Sequence, residues 1–495
     1  MLEKISPRVW ALAIMFAWGG AILWFGLVRF DAFGLDEGAA IALLLNWSVV
    51  DQVASPVTTF GGPDFRALLF IPLGLYWSGS MLAAKVFSLL VSFGAAMLLY
   101  RWAKDRPGQY GDETALIATG LLLVSPATLW LADSMGVGPY LVAIFGLGWI
   151  LDARYRASEH QISSLYFVQT LLVAISVTLH PMGLAYPLAL AWHWQKNPKS
   201  EEQKRKVWIG LAVASGIILA MQTGWIALDW FANPFTALSV ALLGNPTANL
   251  ADVGAAPGVL LALLLAVVLI KRGRQLLGDL LGTMLLLGLL LGLLAADISW
   301  AYIVLAVTLY GGTPLLIDLN RAIGRHTGFM GQRGLVMVAL LITATVFMQV
   351  AKAQGTRLES GLLSPSDELI LELVPEAAKP DKAFLAASQW PARTMLAVRA
   401  DVLPLPPAAK DGAAQLAMIK GITHVVFDHN DPDNTALAAN FRDITGATET
   451  LSRLPGGVIL RIRGAADKAP EAPAPVAPVT GDGPSIPAPE TPATP

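Results

Sequence analysis

Long apolar runs, separated by short polar connections, recur along the first 350 residues of this 495-residue chain. The hydrocarbon core of a bilayer is about 30 Å thick, so a helix needs about 20 apolar residues to cross it. The run at 9–30 has that length and no small-residue cleavage site follows it, which favours a retained span over a signal peptide. The pattern predicts about eleven spans. These are 9–30, 80–100, 114–131, 137–151, 163–179, 181–194, 207–229, 257–270, 276–294, 299–317 and 334–351.

Basic residues collect in every second connection, whereas the alternate connections carry aspartate and glutamate. Lysine and arginine are enriched on the cytoplasmic side of membrane proteins, so this alternation orients the chain. The basic connections contain Lys4 and Arg8, Arg101 and Lys104, Arg154 and Arg156, Lys196 to Lys206, Lys271 to Arg274, and Arg321 to Arg333. The amino terminus is therefore predicted to be cytoplasmic, and an odd number of spans places the chain after residue 351 on the outer face.

The composition changes beyond residue 351. Strand-like runs such as THVVFD and GVILRIR alternate with helix-like segments such as GAAQLAMIKG. The last stretch is rich in proline and alanine and has almost nothing to bury, so it is expected to be disordered. The predicted fold class is mainly α: a transmembrane helical bundle over 1–352, a small extracytoplasmic α/β domain over 353–464 and a disordered tail over 465–495.

The composition supports a membrane class and excludes several functions. The chain is 55% hydrophobic and 14% charged, and its mean hydropathy is +0.58. A formal charge of −2 offers no basic field for nucleic acid. The sequence has no cysteine, which excludes disulfides, thiolate nucleophiles and zinc–sulfur sites.

Two consecutive acids, Asp36 and Glu37, stand just after the first span, where an apolar helical run begins. Asp36 follows Gly34 closely, so one interpretation is an N-cap that satisfies free backbone amides. The other interpretation is functional, because paired acids at an apolar boundary cost desolvation energy unless they are used or paired. A partly buried carboxylate is also a stronger base than one in bulk water.

The order of these features resembles the GT-C glycosyltransferases, most closely the branch of the protein O-mannosyltransferases and the bacterial lipid A aminoarabinose transferase, which is like glycosyltransferase family 39. The resemblance covers about residues 9–195 and depends on the order of the motifs. The stretches that carry it are FGLDEGAAIALLLNW, FGGPDFRALLFIPLGLYWSGSMLAAKVFSLLVSFGAAMLLYRWA, LLLVSPATLWLADSMGVGPYLVAIF and VTLHPMGLAYPLALAWHW.

The resemblance implies transfer of a sugar from a polyprenyl-phosphate donor to an acceptor on the outer face. It implies that Asp36 is the general base and that Glu37 assists or positions it. Asp133, in a second outer loop, is implied to help bind the acceptor or to orient the site; the alternative is a solvated loop aspartate.

A cation is needed near the lipid phosphate that leaves, because negative charge grows there. Lys85 and Arg66 are the candidates on the outer side, and Lys85 could instead extend to lipid headgroups. His180 could contact the donor phosphate or the acceptor, or it could simply cap a helix. Tyr140 could line the substrate site, although it and the tryptophans are more typical of an interfacial aromatic belt.

The sequence therefore predicts a multi-pass enzyme of a bacterial inner membrane that acts on a lipid, glycan or protein acceptor. No cofactor is expected to be required, although a divalent cation near Asp36 and Glu37 would have suitable oxygen ligands. Two other classes stay open: a membrane transporter, and a non-catalytic envelope scaffold whose outer domain binds a partner.

Overall fold

The computed structural model describes residues 7–28, 33–35, 37–41, 43–44, 81–105, 111–157, 163–196, 256–295, 299–327, 341, 344–345, 348, 364–379, 383–454 and 457–463. Most of its described elements are helices. Those before residue 330 are α1 (Pro7–Trp24), α2 (Met81–Lys104), α3 (Gly111–Leu123), α4 (Pro126–Ser134), α5 (Val137–Ala157), α6 (Ser163–Leu179), a 3-10 turn (Pro181–Leu184), α7 (Ala185–Lys196), α8 (Ala256–Leu277), α9 (Leu280–Ala295) and α10 (Trp300–Thr327).

Three helices in the described part of the chain are long and apolar enough to cross a membrane. They are α2, α5 and the Trp300–Leu319 part of α10. A fourth span is formed if α3 and α4, which bend by 54° at their junction, are counted together. The predicted spans at 207–229 and, for the most part, 334–351 lie outside the described residues, so the count of about eleven stays a prediction.

The predicted span at 114–131 is interrupted, which the apolar pattern did not indicate. Helix α3 ends at Leu123 and α4 begins at Pro126. Proline is suited to the first position of a helix because its missing N–H has no partner there. The Ser125 side chain accepts a hydrogen bond from the Thr128 N–H at 3.1 Å and so caps the new helix. The predicted span at 181–194 likewise opens with a 3-10 turn before α7.

Several tryptophans are packed inside the bundle, which differs from the expected interfacial belt. Trp18, Trp102 and Trp300 are all buried. The indole N–H of Trp18 donates to the Leu123 carbonyl at 3.0 Å, and that of Trp300 donates to the Leu289 carbonyl at 2.9 Å. A buried indole needs such an acceptor, so these contacts fix where neighbouring helices meet.

The C-terminal region forms a separate α/β unit. Its elements are α11 (Pro365–Ala377), β1 (Ala386–Ser388), α12 (Pro391–Val398), β2 (Val402–Pro404), α13 (Gly412–Met418), β3 (His424–Phe427), a 3-10 turn (Pro432–Asn434), α14 (Thr435–Asp443), β4 (Thr448–Leu454) and β5 (Gly457–Ile462). The sheet order is β2-β1-β3-β5-β4. Strands β1, β2 and β3 are parallel, and β5 pairs antiparallel with both β3 and β4.

The two faces of this sheet have different neighbours. Ala386 and Val426 face a core that is continuous with the buried residues of the helical bundle, together with α11 and α12. Ala387 and Val425 face the second core, which α14 covers. Successive strand residues point to opposite faces, so one short strand serves both cores. The α/β unit is thus packed against the bundle through an apolar surface.

Where α5 and α7 meet, a polar cluster is buried at the far end of the bundle from α4. The Asp152 carboxylate accepts from the Trp194 indole at 2.8 Å and pairs with Arg156 at 2.6 Å. The neighbouring His193 imidazole shares a hydrogen bond with the Thr283 hydroxyl at 3.0 Å. This cluster ties α5, α7 and α9 together.

Replacing Asp152 with alanine is expected to lower the free energy of unfolding by about 1–3 kcal/mol, because buried donors lose their acceptor. Equilibrium unfolding in detergent micelles measures the change. The control is Asp105→Ala, which breaks an exposed ion pair with Arg101 whose side chains are 57% and 51% exposed; it should change stability by less than about 0.5 kcal/mol. Equal effects of the two variants would contradict the structural role of the cluster.

Candidate functional site

The site is built around a buried ion pair between two of the residues selected from the sequence. The Lys85 ammonium lies 2.8 Å from Oδ1 of Asp133 and also donates to the Asp133 carbonyl oxygen. Lys85 is 0% exposed and Asp133 is 6% exposed. Lys85 is near the start of α2 and Asp133 is in the last turn of α4, so the pair joins these helices.

The other carboxylate oxygen of Asp133 faces the acidic loop. Gly34, in this loop, has a φ of +76°, a conformation that residues with a side chain rarely adopt. A Cβ at Gly34 would lie 3.4 Å from Oδ2 of Asp133. Glycine therefore provides both the turn and the close approach, and it brings the loop against the Lys85–Asp133 pair.

The α/β unit also contacts this loop. The Gly34 N–H donates to Oδ2 of Asp367 at 3.0 Å. Asp367, in the first turn of α11, is 2% exposed, and its other oxygen accepts from the Arg393 guanidinium at 2.5 Å. The Ser364 hydroxyl also donates to Asp367, at 2.6 Å. The loop thus lies between one buried ion pair of the bundle and another of the α/β unit.

Glu37 caps a helix that is distant in sequence. Its Oε1 accepts from the Ala392 N–H at 2.7 Å and its Oε2 accepts from the Arg393 N–H at 3.3 Å. These are the second and third residues of α12, whose own N-cap residue, Trp390, makes no side-chain cap. The first amides of a helix have no partner within it, and a carboxylate satisfies them and interacts favourably with the helix dipole. The helix cap suggested for Asp36 lies outside the described residues, and Glu37 makes a contact of that type with a different helix.

Two of the selected residues, Asp36 and Arg66, lie outside the described residues. The neighbours of Asp36 on both sides are described: Leu35 is buried, and residues 37–41 are helical. The roles of Asp36 and Arg66 stay predictions.

His180 and Tyr140 make contacts with residues outside the acidic loop. The Nδ1 atom of His180 accepts from the Met182 N–H at 3.2 Å, so the ring caps the 3-10 turn that begins at Pro181. This is the capping alternative named for His180. Tyr140 is 3% exposed and packs against Phe87 with ring centroids 6.3 Å apart. Their proposed contacts with donor and substrate stay predictions.

No group of three or more histidine and acidic side chains within the described ranges is arranged to hold a metal ion. Both oxygens of Glu37 accept from backbone amides. The cation suggested for Asp36 and Glu37 stays a prediction, because Asp36 is not among the described residues.

Asp367 and Arg393 are the residues of this site that sequence reasoning did not select. Asp367 stands in the segment SPSDE, where a serine N-cap precedes an acid three residues later. That pattern predicts the start of a helix. Nothing in it indicates that the acid also reaches the loop at Gly34, 333 residues away in the chain.

Comparisons with known proteins bear on the fold. No family model matches the sequence and no curated protein sequence does. The structure is similar to that of ArnT from Cupriavidus metallidurans bound to undecaprenyl phosphate, with a TM-score of 0.54, 11% identity and coverage of 93% of this chain and 98% of ArnT. For the apo state of that ArnT the TM-score is 0.51 at 13% identity, with coverage of 92% and 98%. An Archaeoglobus fulgidus oligosaccharyltransferase tethered with an acceptor peptide has a TM-score of 0.48 at 12% identity, with coverage of 85% and 69%.

The chain therefore has the fold of the GT-C glycosyltransferases, and the predicted resemblance to the ArnT branch is confirmed at the level of the fold. The match and the apolar helices together make it a membrane protein.

Removing one partner of the Lys85–Asp133 ion pair should lower stability much more than removing both. Lys85→Met and Asp133→Leu are each expected to lower the free energy of unfolding by about 3–5 kcal/mol, since each leaves a buried charge unpaired. The double variant should recover most of that loss, because similar volumes of apolar side chain replace both charges. Equilibrium unfolding of the three variants in micelles measures the coupling.

The control for this cycle is Lys379→Met, which removes a pair with Glu376 whose lysine side chain is 45% exposed. It should cost less than about 1 kcal/mol. Additive losses in the double variant would show that Lys85 and Asp133 are not energetically coupled.

Proposed function

We propose that this protein is a membrane glycosyltransferase that moves a sugar from a polyprenyl-phosphate donor to a cell-envelope acceptor. The observation that carries the proposal is the buried Lys85–Asp133 pair, which lies against the acidic loop in a chain with the GT-C fold. The likeness to ArnT bound to undecaprenyl phosphate supports the donor class. The reaction is proposed to take place at the outer face of a bacterial inner membrane.

In the proposed reaction, the Asp36 carboxylate takes a proton from an acceptor hydroxyl or amine. The acceptor atom then forms a bond with the anomeric carbon of the sugar, and the bond from that carbon to the lipid phosphate breaks. The leaving phosphate takes the electron pair, so negative charge develops on its oxygens. No nucleotide is needed, because the lipid phosphate is already an activated leaving group.

Lys85 suits the charge that develops on the phosphate. An ammonium has three N–H donors. In Lys85, two of these N–H groups donate to the carboxylate and the backbone carbonyl of Asp133. The third N–H has no acceptor among the described residues. Asp133 holds the ammonium in one orientation, and the third N–H can then donate to a phosphate oxygen. Arg66 and His180 are the additional proposed phosphate contacts.

Asp36→Asn is expected to lower kcat by about 10²- to 10⁴-fold, the usual contribution of a general base. Sugar transfer from a polyprenyl-phosphate donor in proteoliposomes measures the rate. Asp105→Asn, which changes an exposed acid just after α2, should retain the wild-type rate. If Asp36→Asn transfers sugar at the wild-type rate, Asp36 is not the general base. If Asp36→Asn loses substrate flux across the membrane while the envelope glycans stay unaltered, the protein is a transporter.

Undecaprenyl phosphate alone should stabilise the wild-type protein, because a ligand at 100 times its Kd adds about 2.7 kcal/mol. The Lys85→Met/Asp133→Leu double variant, which should stay folded, is expected to lose most of that stabilisation. Thermal unfolding in micelles with and without the lipid measures both. An equal shift in the two proteins would exclude Lys85 from the phosphate site.

A further inference from the structure

The acidic loop is fixed on both sides of Asp36 by the α/β unit. Before Asp36, the Gly34 N–H donates to the buried Asp367 carboxylate at 3.0 Å. After Asp36, the Glu37 carboxylate accepts from two amides of α12 at 2.7 and 3.3 Å. Only two residues, Leu35 and Asp36, lie between the two contacts along the chain, so a shift of the α/β unit would displace the backbone that carries Asp36.

The place where Glu37 binds is one that α/β folds commonly use for ligands. From β1 the chain passes to β2 on one side and then to β3 on the other, so the strand order reverses at β1. Open α/β sheets bind ligands outside the carboxyl ends of their strands at such a point, often with an anion at a helix N-terminus. Helix α12 begins three residues after β1 ends, and the carboxylate that meets its N-terminus comes from the bundle.

The Asp367–Arg393 pair links the two contacts. Arg393 gives its backbone N–H to Glu37 and its guanidinium to Asp367 at 2.5 Å. Asp367 in turn accepts from Gly34. Arg393 therefore takes part in both contacts with the acidic loop, at Glu37 directly and at Gly34 through Asp367. Its side chain is only 12% exposed. Buried charge-assisted hydrogen bonds of this kind are among the strongest polar contacts in proteins.

We propose that Glu37 is a positioning residue, which holds the catalytic loop in register by capping α12, and that the docked α/β unit is therefore part of the active site. The inference rests on the proposed function, since it concerns the placement of Asp36 as the base. It assigns Glu37 no contact with the reacting atoms. It also gives the α/β unit a role in catalysis that does not depend on acceptor recognition.

The first test measures catalysis. Glu37→Ala should lower kcat on the order of 100-fold with the KM for the donor nearly unchanged, because a displacement of about 1 Å at a reacting group can cost that much. Glu37→Gln keeps an oxygen that can accept from Ala392 but loses the charge, so a smaller loss of about tenfold is expected. Full-length protein in proteoliposomes is used throughout.

The matched control is Asp411, a second carboxylate that caps a helix of the same α/β unit. Its Oδ1 accepts from the Ala414 N–H at 2.8 Å at the start of α13, and the residue is exposed. Asp411→Ala therefore removes an equivalent cap that does not reach the bundle. It should leave kcat at the wild-type value.

The second test measures the contact itself by amide hydrogen exchange of the full-length protein. Glu37→Ala should speed exchange at the Ala392 and Arg393 amides by about tenfold, as expected for the loss of a helix cap. Asp411→Ala should leave those two amides unchanged. Unaltered exchange in Glu37→Ala would overturn the contact, and faster exchange with wild-type kcat would overturn the positioning role.

Asp36→Asn separates this inference from the proposed function. If both are correct, this variant loses transfer while Ala392 and Arg393 stay protected. If Asp36→Asn transfers sugar at the wild-type rate, the proposed base is wrong and the positioning role falls with it. If Asp36→Asn is inactive but Glu37→Ala is fully active, the proposed function stands and only the inference about Glu37 is overturned.

Discussion

A charge buried among membrane helices must have a partner, and the Lys85–Asp133 pair meets that requirement where the start of α2 meets the end of α4. One carboxylate oxygen of Asp133 faces the ammonium and the other faces Gly34. Because the pair is buried, neither residue can turn away without leaving a charge unsatisfied. The relative position of α2 and α4 therefore depends on this ion pair, and the acidic loop packs against it at Gly34.

The α/β unit completes this arrangement. It is packed on the bundle through a continuous apolar core. It also makes two polar contacts with the acidic loop, one at Gly34 and one at Glu37. Burial of an apolar interface stabilises the contact but is not directional, whereas hydrogen bonds with charged groups fix the orientation of the two parts. The two kinds of contact together explain how a unit at the far end of the sequence is held in one register over a loop near its beginning.

Much of the helical architecture follows from local patterns. The apolar runs predicted α2, α5 and α10 close to their observed positions, and alternation with turn residues predicted strands around His424 and Gly457. The apolar pattern does not indicate the interruption between α3 and α4, because the Ser125-Pro126 signal for a new helix lies inside an apolar run of spanning length. The burial of Trp18 and Trp300 was missed because composition does not say which carbonyl an indole will reach.

The sequence by itself determined the membrane class and the strand and helix content of the C-terminal region, and it singled out Glu37, Lys85 and Asp133 as candidates. These depend on hydrophobicity, local propensity and the cost of burying charge, which can be read from short segments. Only the tertiary structure decided the partners: Lys85 with Asp133 across 48 residues, and Glu37 with α12 across 355. Contacts at such separations depend on how the helices and the sheet pack, and no local pattern encodes that packing.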